Sequence, residues 1–278
     1  MRALLLTQDF PPVLSGGIAT YYFHLSRCLP AELSVLAPDG TGAAEFDAVQ
    51  PMDVERRKIP LVPPSYTTSG RLSPLKWPRL ACIAVAQWSL FYRHARRLLE
   101  QGSTDVLLVG HLYLGPLGPR LRRAGRVPFG IVLHGSELHR YAGISAVERR
   151  ALRALDAADF LLVNSEFTRR QYLERGVRRD QRFLKLNPGV DIERFAPDAG
   201  DPAAVRERFD LGEKPVLSSV ARLVEWKGQD MVLRGLPRLL ERVPDLVYLI
   251  VGDGPYRPQL EGLAEELGVR DHVVFAGF

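Results

Sequence analysis

The sequence has little cysteine and no long apolar run. Its 278 residues include two cysteines, Cys28 and Cys82, and neither shows the CxxC spacing or the neighbouring histidines of a zinc site. Two cysteines cannot form a disulfide framework, so we expect reduced, structural thiols. The longest apolar stretch, at residues 81–92, is well short of the ~20 residues of a membrane-spanning helix. The N-terminal apolar run is too short for a signal peptide. These absences favour a cytoplasmic protein.

Lysine is also scarce, since only five of the 37 basic residues are lysines. The formal charge of +5 is divided unevenly, with +9 on residues 1–196 and −4 on residues 197–278. Arginines cluster at 93–97 and at 120–126. Such clusters attract an anionic membrane surface or a phosphorylated ligand, and a solvated helix face is the alternative. We therefore expect a peripheral contact with the inner face of a membrane and no nucleic-acid partner.

Short apolar runs alternate with amphipathic segments of helix length. Each run is continuous and stops at Gly, Pro, Asn or His, which is typical of buried parallel strands. The amphipathic segments include residues 145–157 and 166–176. This alternation predicts an α/β fold with a doubly wound parallel sheet that binds ligands at the carboxyl ends of its strands. The runs lie at residues 2–7, 33–38, 105–110, 129–134, 159–164 and 182–187.

The segment 187–197 interrupts this alternation. Its sequence, NPGVDIERFAP, has two prolines and no periodicity, and it predicts an interdomain linker. We therefore expect two Rossmann-like domains, residues 1–190 and residues 191–278. The sequence stops at Phe278 directly after a strand-like run, which predicts that the second sheet is incomplete. The second domain shows strand-like runs at 215–223, 245–254 and 272–278, with helices at 228–242 and 257–268.

Two glycines follow the first predicted strand and open a helix. Gly16 and Gly17 let the backbone approach a ligand, and the N-terminus of the next helix directs N–H groups and a positive dipole at a phosphate. The pair does not form a GxGxxG motif, which disfavours a dinucleotide-dependent oxidoreductase. An ordinary tight turn is the alternative.

Two cations follow a predicted strand of the second domain, in SVARLVEWKG. Arg222 and Lys227 lie between the strand end and the next helix, where an α/β domain binds ligands, and both can meet a diphosphate. A surface salt bridge is the alternative for Lys227. The following strand ends in GDGP, where Gly252 permits close backbone approach and Asp253 can cap the turn.

Histidines end two predicted strands of the first domain. His134 precedes Gly135 and Glu137, so a titratable group lies at the edge of the sheet where ligands bind. His111 has the same placement, and a structural histidine is the alternative for both. The spacing of His134 and His139 is not that of an HExxH motif, so no metal site is predicted.

Taken in order, the segments of this chain resemble the retaining glycosyltransferases of family 4, which have the GT-B fold. The resemblance runs from about residue 2 to the last residue. It implies two facing Rossmann-like domains, with an acceptor in the first and a nucleoside-diphosphate sugar mainly in the second. It also implies sugar transfer to a hydroxyl with retention, without a cofactor or a metal ion. The matching segments are GGIATY, HGSEL, VNSEFTRRQYLERG, NPGVDIERFAP, SVARLVEWKGQD, VGDGP and VVFAGF.

The resemblance also implies roles for individual residues. Gly16 and Gly17 match the loop that approaches the donor diphosphate, and Arg222 and Lys227 match the cations that hold it. His134 matches the family's histidine near the reacting sugar and is the catalytic candidate.

Further roles concern the nucleotide pocket and the acceptor. Gly252, Gly277 and Phe278 match the walls of the nucleotide pocket, and His111 and Glu137 are acceptor-side candidates. Members of the family carry two glutamates beyond the position of Phe278, in a segment that this sequence does not contain. The resemblance therefore implies weakened donor binding unless a partner chain supplies that segment.

Two other functions stay open. One is a non-catalytic remnant, or half of a split enzyme, that binds an acceptor, a membrane surface or a partner through the first domain. The other is a sugar-nucleotide epimerase or an NAD-dependent enzyme of the same fold, which fits the motifs poorly. The family favours cell-envelope or polysaccharide glycan synthesis, but the sequence does not specify the donor or the acceptor.

Overall fold

The protein is described by a computed structural model over residues 1–13, 16–29, 32–61, 77–102, 104–135, 137 and 145–278. The chain divides into two compact units, Met1–Gly189 and Val190–Phe278, called unit 1 and unit 2 below. The boundary falls within residues 187–197, which contain neither helix nor strand. Among the described residues, every helix is too short or too polar to cross a bilayer.

Unit 1 is built on a parallel sheet. Its strands are β1 (Arg2–Leu6), β2 (Glu32–Pro38), β3 (Asp53–Arg57), β4 (Val106–Val109), β5 (Phe129–Leu133), β6 (Phe160–Val163) and β7 (Phe183–Lys185). They lie in the order β3-β2-β1-β4-β5-β6-β7, and every adjacent pair is parallel. This is the order of a doubly wound sheet extended by one strand, and its topological switch point lies between β1 and β4.

Helices cover both faces of this sheet because successive side chains of a strand point to opposite faces. Leu4 and Leu6 of β1 pack in one core with Phe91, whereas Leu5 packs in a second core with Tyr22. The helices in the described part of unit 1 are α1 (Gly17–Cys28), α2 (Ala43–Ala48), α3 (Trp77–Glu100), α4 (Gly118–Gly125), α5 (Ser145–Ala157) and α6 (Glu166–Glu174), with a 3₁₀ turn at Leu112–Leu117.

Unit 2 repeats the pattern with fewer strands. Its elements are α7 (Pro202–Arg208), β8 (Val216–Val220), α8 (Gln229–Leu240), β9 (Val247–Val251), α9 (Arg257–Glu266) and β10 (Val273–Gly277). The strands are parallel in the order β10-β9-β8. Leu233 of α8 and Leu260 of α9 pack with Tyr248 in one core. This order is one half of a doubly wound sheet, which confirms the predicted α/β class with an incomplete second sheet.

Two expectations need correction, and one strand was missed. β7 is not buried, since it is the last strand at one edge of the sheet and Leu184 is 37% exposed. β3 was not predicted because its sequence, DVERR, has no apolar run, and as an edge strand it pairs only with β2. Cys28 and Cys82 are free, but both are exposed, so neither thiol belongs to a core.

Gly118 generates a stability prediction. A Cβ at this position would lie 2.2 Å from Cε2 of Phe129, whose side chain is fully buried. We expect Gly118→Ala to lower the free energy of unfolding by about 1–3 kcal/mol, because the ring has nowhere to move. Urea denaturation measures this change.

Gly262→Ala is the matched control. Gly262 lies in α9, and a Cβ there would meet no atom within 4 Å. This variant should gain about 0.5–1 kcal/mol from helix propensity. Equal stability of the two variants would contradict the packing of Phe129 against Gly118.

Candidate functional site

The glycine pair creates an open helix N-terminus in unit 1. Gly16 has a φ of +136°, a conformation that other residues rarely adopt, and no side chain caps α1 after it. A Cβ at Gly16 or Gly17 would meet no atom within 4 Å, and the first turn of α1 has no acidic residue. A helix end without a side-chain cap or an acidic residue in its first turn attracts an anion.

His134 follows β5 directly and packs against two tyrosines of α1. Its ring meets the rings of Tyr21 and Tyr22 edge-on, with centroid distances of 5.4 and 5.3 Å. Its Nε2 lies 2.8 Å from Oη of Tyr22. Burial lowers the pKa of His134 from 6.5 to about 4. The imidazole is therefore neutral at neutral pH and acts as a hydrogen-bonding group rather than as a proton donor.

Two polar side chains hold the backbone at His134. The carboxylate of Glu137 accepts a hydrogen bond from the backbone N–H of His134 at 3.1 Å, and Nδ2 of Asn164 donates to its carbonyl at 3.2 Å. Glu137 is buried. The predicted acceptor-side carboxylate is thus directed to the backbone after β5, where it orients the histidine.

His111 belongs to the same cluster. It is buried after β4, with Nε2 2.9 Å from Oγ1 of Thr7 and 3.7 Å from Oδ2 of Asp9. The centroids of the His111 and His134 rings are 6.4 Å apart. The structure therefore brings both predicted histidines together at the carboxyl ends of β1, β4 and β5, and the ring of His111 contacts protein groups there.

The tyrosines of α1 were missed by sequence reasoning. Burial raises the pKa of Tyr21 to about 12. Burial, and then the charges of Glu137 and Asp9, raise the pKa of Tyr22 well above 10. The available signal was the helical spacing of buried residues around Tyr22, together with the rule that a buried tyrosine hydroxyl finds a hydrogen-bond partner. His139 lies outside the described residues.

Unit 2 has a cavity of about 300 Å³ at the carboxyl ends of β8 and β9. The structure brings three of the predicted residues into its lining, namely Arg222, Gly252 and Phe278. Lys227 lies outside the lining, on the 3₁₀ turn Glu225–Lys227. Gly277 also lies outside it and accepts a hydrogen bond from the N–H of Gly252 at 2.8 Å. The remaining lining residues, which the sequence did not single out as pocket walls, are Val220, Ala221, Val251 and Asp253.

Backbone hydrogen bonds between two loops shape this cavity. The N–H of Ala221 donates to the carbonyl of Val251 at 3.0 Å. A Cβ at Gly252 would lie 2.0 Å from the carbonyl oxygen of Ala221. The close approach that Gly252 permits is therefore to the protein's own loop after β8. Asp253 caps the turn, since its Oδ1 accepts from the N–H of Gly254 at 2.7 Å.

The predicted cations are exposed on the loop that follows β8. Within the described residues, neither Arg222 nor Lys227 forms an ion pair. Gly228 then begins α8 without a side-chain cap, and Nε2 of Gln229 donates to the carbonyl of Arg222 at 3.4 Å. Two unpaired cations thus accompany the positive end of a helix dipole, a combination that binds anions.

The depressed pKa of His134 predicts a pH dependence of stability. Between pH 6.5 and about 4 the unfolded chain binds a proton at His134 that the folded chain does not, so stability falls as the pH is lowered. We expect a loss of about 2 kcal/mol between pH 7.5 and pH 5 relative to His134→Gln, measured by urea denaturation of both proteins. A difference between the two proteins that is independent of pH would show that the histidine is not buried.

Two family models together match most of the chain. Residues 15–194 match the family model described as Glycosyltransferase Family 4, and residues 204–278 match the one described as Glycosyl transferases group 1.

Curated relatives align along nearly the whole chain. The GDP-mannose-dependent alpha-(1-6)-phosphatidylinositol monomannoside mannosyltransferase of Mycolicibacterium smegmatis is 36% identical, over 98% of this chain and 66% of that protein. The enzyme of the same name from Mycobacterium tuberculosis is 32% identical, over 99% of this chain and 67% of that protein. The chain thus spans about two thirds of the length of these relatives.

Solved structures show the same fold. Anabaena HepE in complex with UDP superposes with a TM-score of 0.75 at 18% identity, over 100% of this chain and 69% of that one. Sucrose-phosphate synthase from Thermosynechococcus elongatus gives a TM-score of 0.67 at 17% identity, over 99% and 70% of the two chains. These likenesses confirm the GT-B-like fold class. With the family match over more than half of its residues, the chain belongs to glycosyltransferase family 4.

Proposed function

We propose that this chain transfers a sugar from a nucleoside-diphosphate sugar to a hydroxyl acceptor, with retention at the anomeric carbon. The observation that carries the proposal is the cavity of unit 2, where the exposed Arg222 lies beside the uncapped N-terminus of α8. Cations and free N–H groups together suit a diphosphate, whose charge is delocalised over several oxygens.

The donor we propose is GDP-mannose. The relatives from Mycolicibacterium smegmatis and Mycobacterium tuberculosis are named as GDP-mannose-dependent, and they are 36% and 32% identical to this chain. Their names also supply the proposed acceptor, a phosphatidylinositol-linked mannose. On this proposal the protein acts in cell-envelope glycolipid synthesis.

The proposed chemistry needs the leaving group to be stabilised. The bond between the anomeric carbon and the diphosphate oxygen breaks, a bond to the acceptor oxygen forms, and the proton of the acceptor hydroxyl passes to the departing diphosphate oxygen. Negative charge grows on the departing diphosphate, where Arg222, Lys227 and the dipole of α8 stabilise it. We propose that these groups act without a metal ion, and that the neutral His134 hydrogen-bonds a sugar hydroxyl.

Calorimetric titration of the chain with GDP, UDP and ADP tests the diphosphate site. We expect GDP to bind most tightly, and Arg222→Ala and Lys227→Ala each to weaken GDP binding about 10–100-fold, because each variant loses charge-assisted hydrogen bonds. The matched control is Arg234→Ala. Arg234 lies on α8, is exposed and forms no ion pair within the described residues, so this variant should bind GDP as tightly as the unmodified chain.

Two further results decide between sugar transfer and the alternative, a non-catalytic half that only binds a ligand or a partner. Transfer of mannose from GDP-mannose to phosphatidylinositol monomannoside, with an α-linked product detected by NMR, would support the full proposal. A folded chain that bound none of the three nucleotides would contradict it. That result would favour a non-catalytic half that binds an acceptor, a membrane or a partner chain.

We also propose that unit 1 contacts an anionic membrane through an arginine surface, defined as Arg93 and Arg97 of α3 with Arg120 and Arg123 of α4 and the neighbouring Arg126. All five are exposed, and within the described residues none forms an ion pair. The two helices pack against each other. The pKa of His94 is lowered by burial and then by the charges of Arg57, Arg93 and Arg97, against an opposing effect of Glu55, so arginine charges predominate beside this part of α3.

Vesicle sedimentation tests the arginine surface. Replacing Arg120, Arg123 and Arg126 together by serine should weaken binding to phosphatidylglycerol vesicles about 100-fold at low salt, at ~1 kcal/mol per arginine. Binding of the unmodified chain should fall as salt is added. The control replaces the exposed arginines of α8 and its C-terminal end in unit 2, Arg234, Arg238 and Arg242. Equal sedimentation of the two triple variants would contradict the proposal.

A further inference from the structure

The hydroxyl of Tyr22 occupies a niche between β4 and β5. The side chain is fully buried, and Oη contacts both the carbonyl of Gly110 and Nε2 of His134. A Cβ at Gly110 would lie 3.0 Å from this hydroxyl and 2.7 Å from the carbonyl oxygen of Leu6. The missing side chain of Gly110 therefore makes the niche in which the hydroxyl lies beside the histidine.

The number of protons decides the direction of each hydrogen bond. A phenol has one proton to donate, and the carbonyl of Gly110 can only accept. If Tyr22 donated to His134, its oxygen would face the Gly110 oxygen with no proton between them. Tyr22 therefore donates to Gly110, and Nε2 of His134 donates to Tyr22. A neutral imidazole holds one proton, so its Nδ1 keeps a lone pair.

The surroundings keep both groups in these protonation states. Burial and the carboxylates of Glu137 and Asp9 disfavour a phenolate at Tyr22, and burial disfavours an imidazolium at His134. His111 faces Tyr22 as well, with ring centroids 5.8 Å apart. Nδ1 of His134 has no hydrogen-bond partner among the described residues, while the side chain retains partial exposure.

We infer that Tyr22 is a positioning residue that holds His134 in its Nε2–H tautomer, so that Nδ1 is offered as a hydrogen-bond acceptor to a sugar hydroxyl. The tautomer follows from the contacts of Tyr22 with Gly110 and His134, together with the neutral state of the imidazole. The identity of the ligand as a sugar rests on the proposed function.

Nitrogen-15 NMR of the imidazole rings in the full chain tests the tautomer. The chain has six histidines, and comparison with His134→Gln assigns the signals of His134. We expect a protonated Nε2 and an unprotonated Nδ1 at pH 7. Tyr22→Phe should lose this single tautomer and show averaged nitrogen shifts, because its ring has no oxygen to accept the proton. The control Tyr21→Phe should keep the tautomer, since the hydroxyl of Tyr21 contacts the carbonyl of Leu186 instead.

The outcomes separate the inference from the proposed function. A protonated Nδ1 in the unmodified chain would overturn the inference whatever the enzyme transfers, and this result does not require Tyr22→Phe to fold. Titration with methyl α-mannoside then tests the ligand. We expect the Nδ1 signal to shift on titration, and Tyr22→Phe to bind the mannoside at least about fivefold more weakly than the unmodified chain. This result supports both the tautomer and the sugar assignment. An Nε2–H tautomer without any response to the mannoside would overturn the sugar assignment and leave the tautomer standing.

Discussion

Strand β1 pairs with a neighbour on each edge, and the residues of the unit 1 site depend on this arrangement. Beyond the strand, the N–H of Thr7 donates to the carbonyl of Leu36 in β2. The N–H of Gly110, which follows β4, donates to the carbonyl of Leu6. The chain leaves β1 and β4 toward opposite faces of the sheet, which opens a crevice at their carboxyl ends. The glycine pair follows β1, and His111 and His134 follow β4 and β5, so all of them lie at the carboxyl ends of the strands.

In both units a glycine, which has no side chain, leaves the space that a polar group occupies. Gly110 leaves space for the hydroxyl of Tyr22, and Gly252 leaves space for the carbonyl of Ala221. The consequences differ. In unit 1 the hydroxyl is sealed from water, so it must find protein partners. In unit 2 the two loops satisfy each other through backbone hydrogen bonds, and the side chain of Arg222 remains at the surface.

The fold was largely predictable because most strands of a parallel sheet are buried on both faces and form continuous apolar runs. β3 has no such run, and pattern reasoning therefore failed there. In the site, the strand-end position of His134 was readable from the sequence, but its contact with Tyr22 was not. The two residues are 112 positions apart, and only the order of the strands brings α1 over the end of β5. The contact between Gly252 and the loop after β8 was hidden for the same reason.

The two units hold chemically different sites, and the difference bears on selectivity. Arg222 and Lys227 are exposed and charged, so in the proposed function they attract a phosphorylated ligand over a distance but discriminate weakly among sugars. His134 is buried enough to stay neutral, so it has no attraction for phosphate charge. A buried group of fixed tautomer rejects ligands that leave it without a partner, which makes it a strong discriminator of hydroxyl position. On the proposed function, anion affinity and hydroxyl recognition are therefore separable, the first carried by an exposed charged loop in one unit and the second by a largely buried neutral cluster in the other.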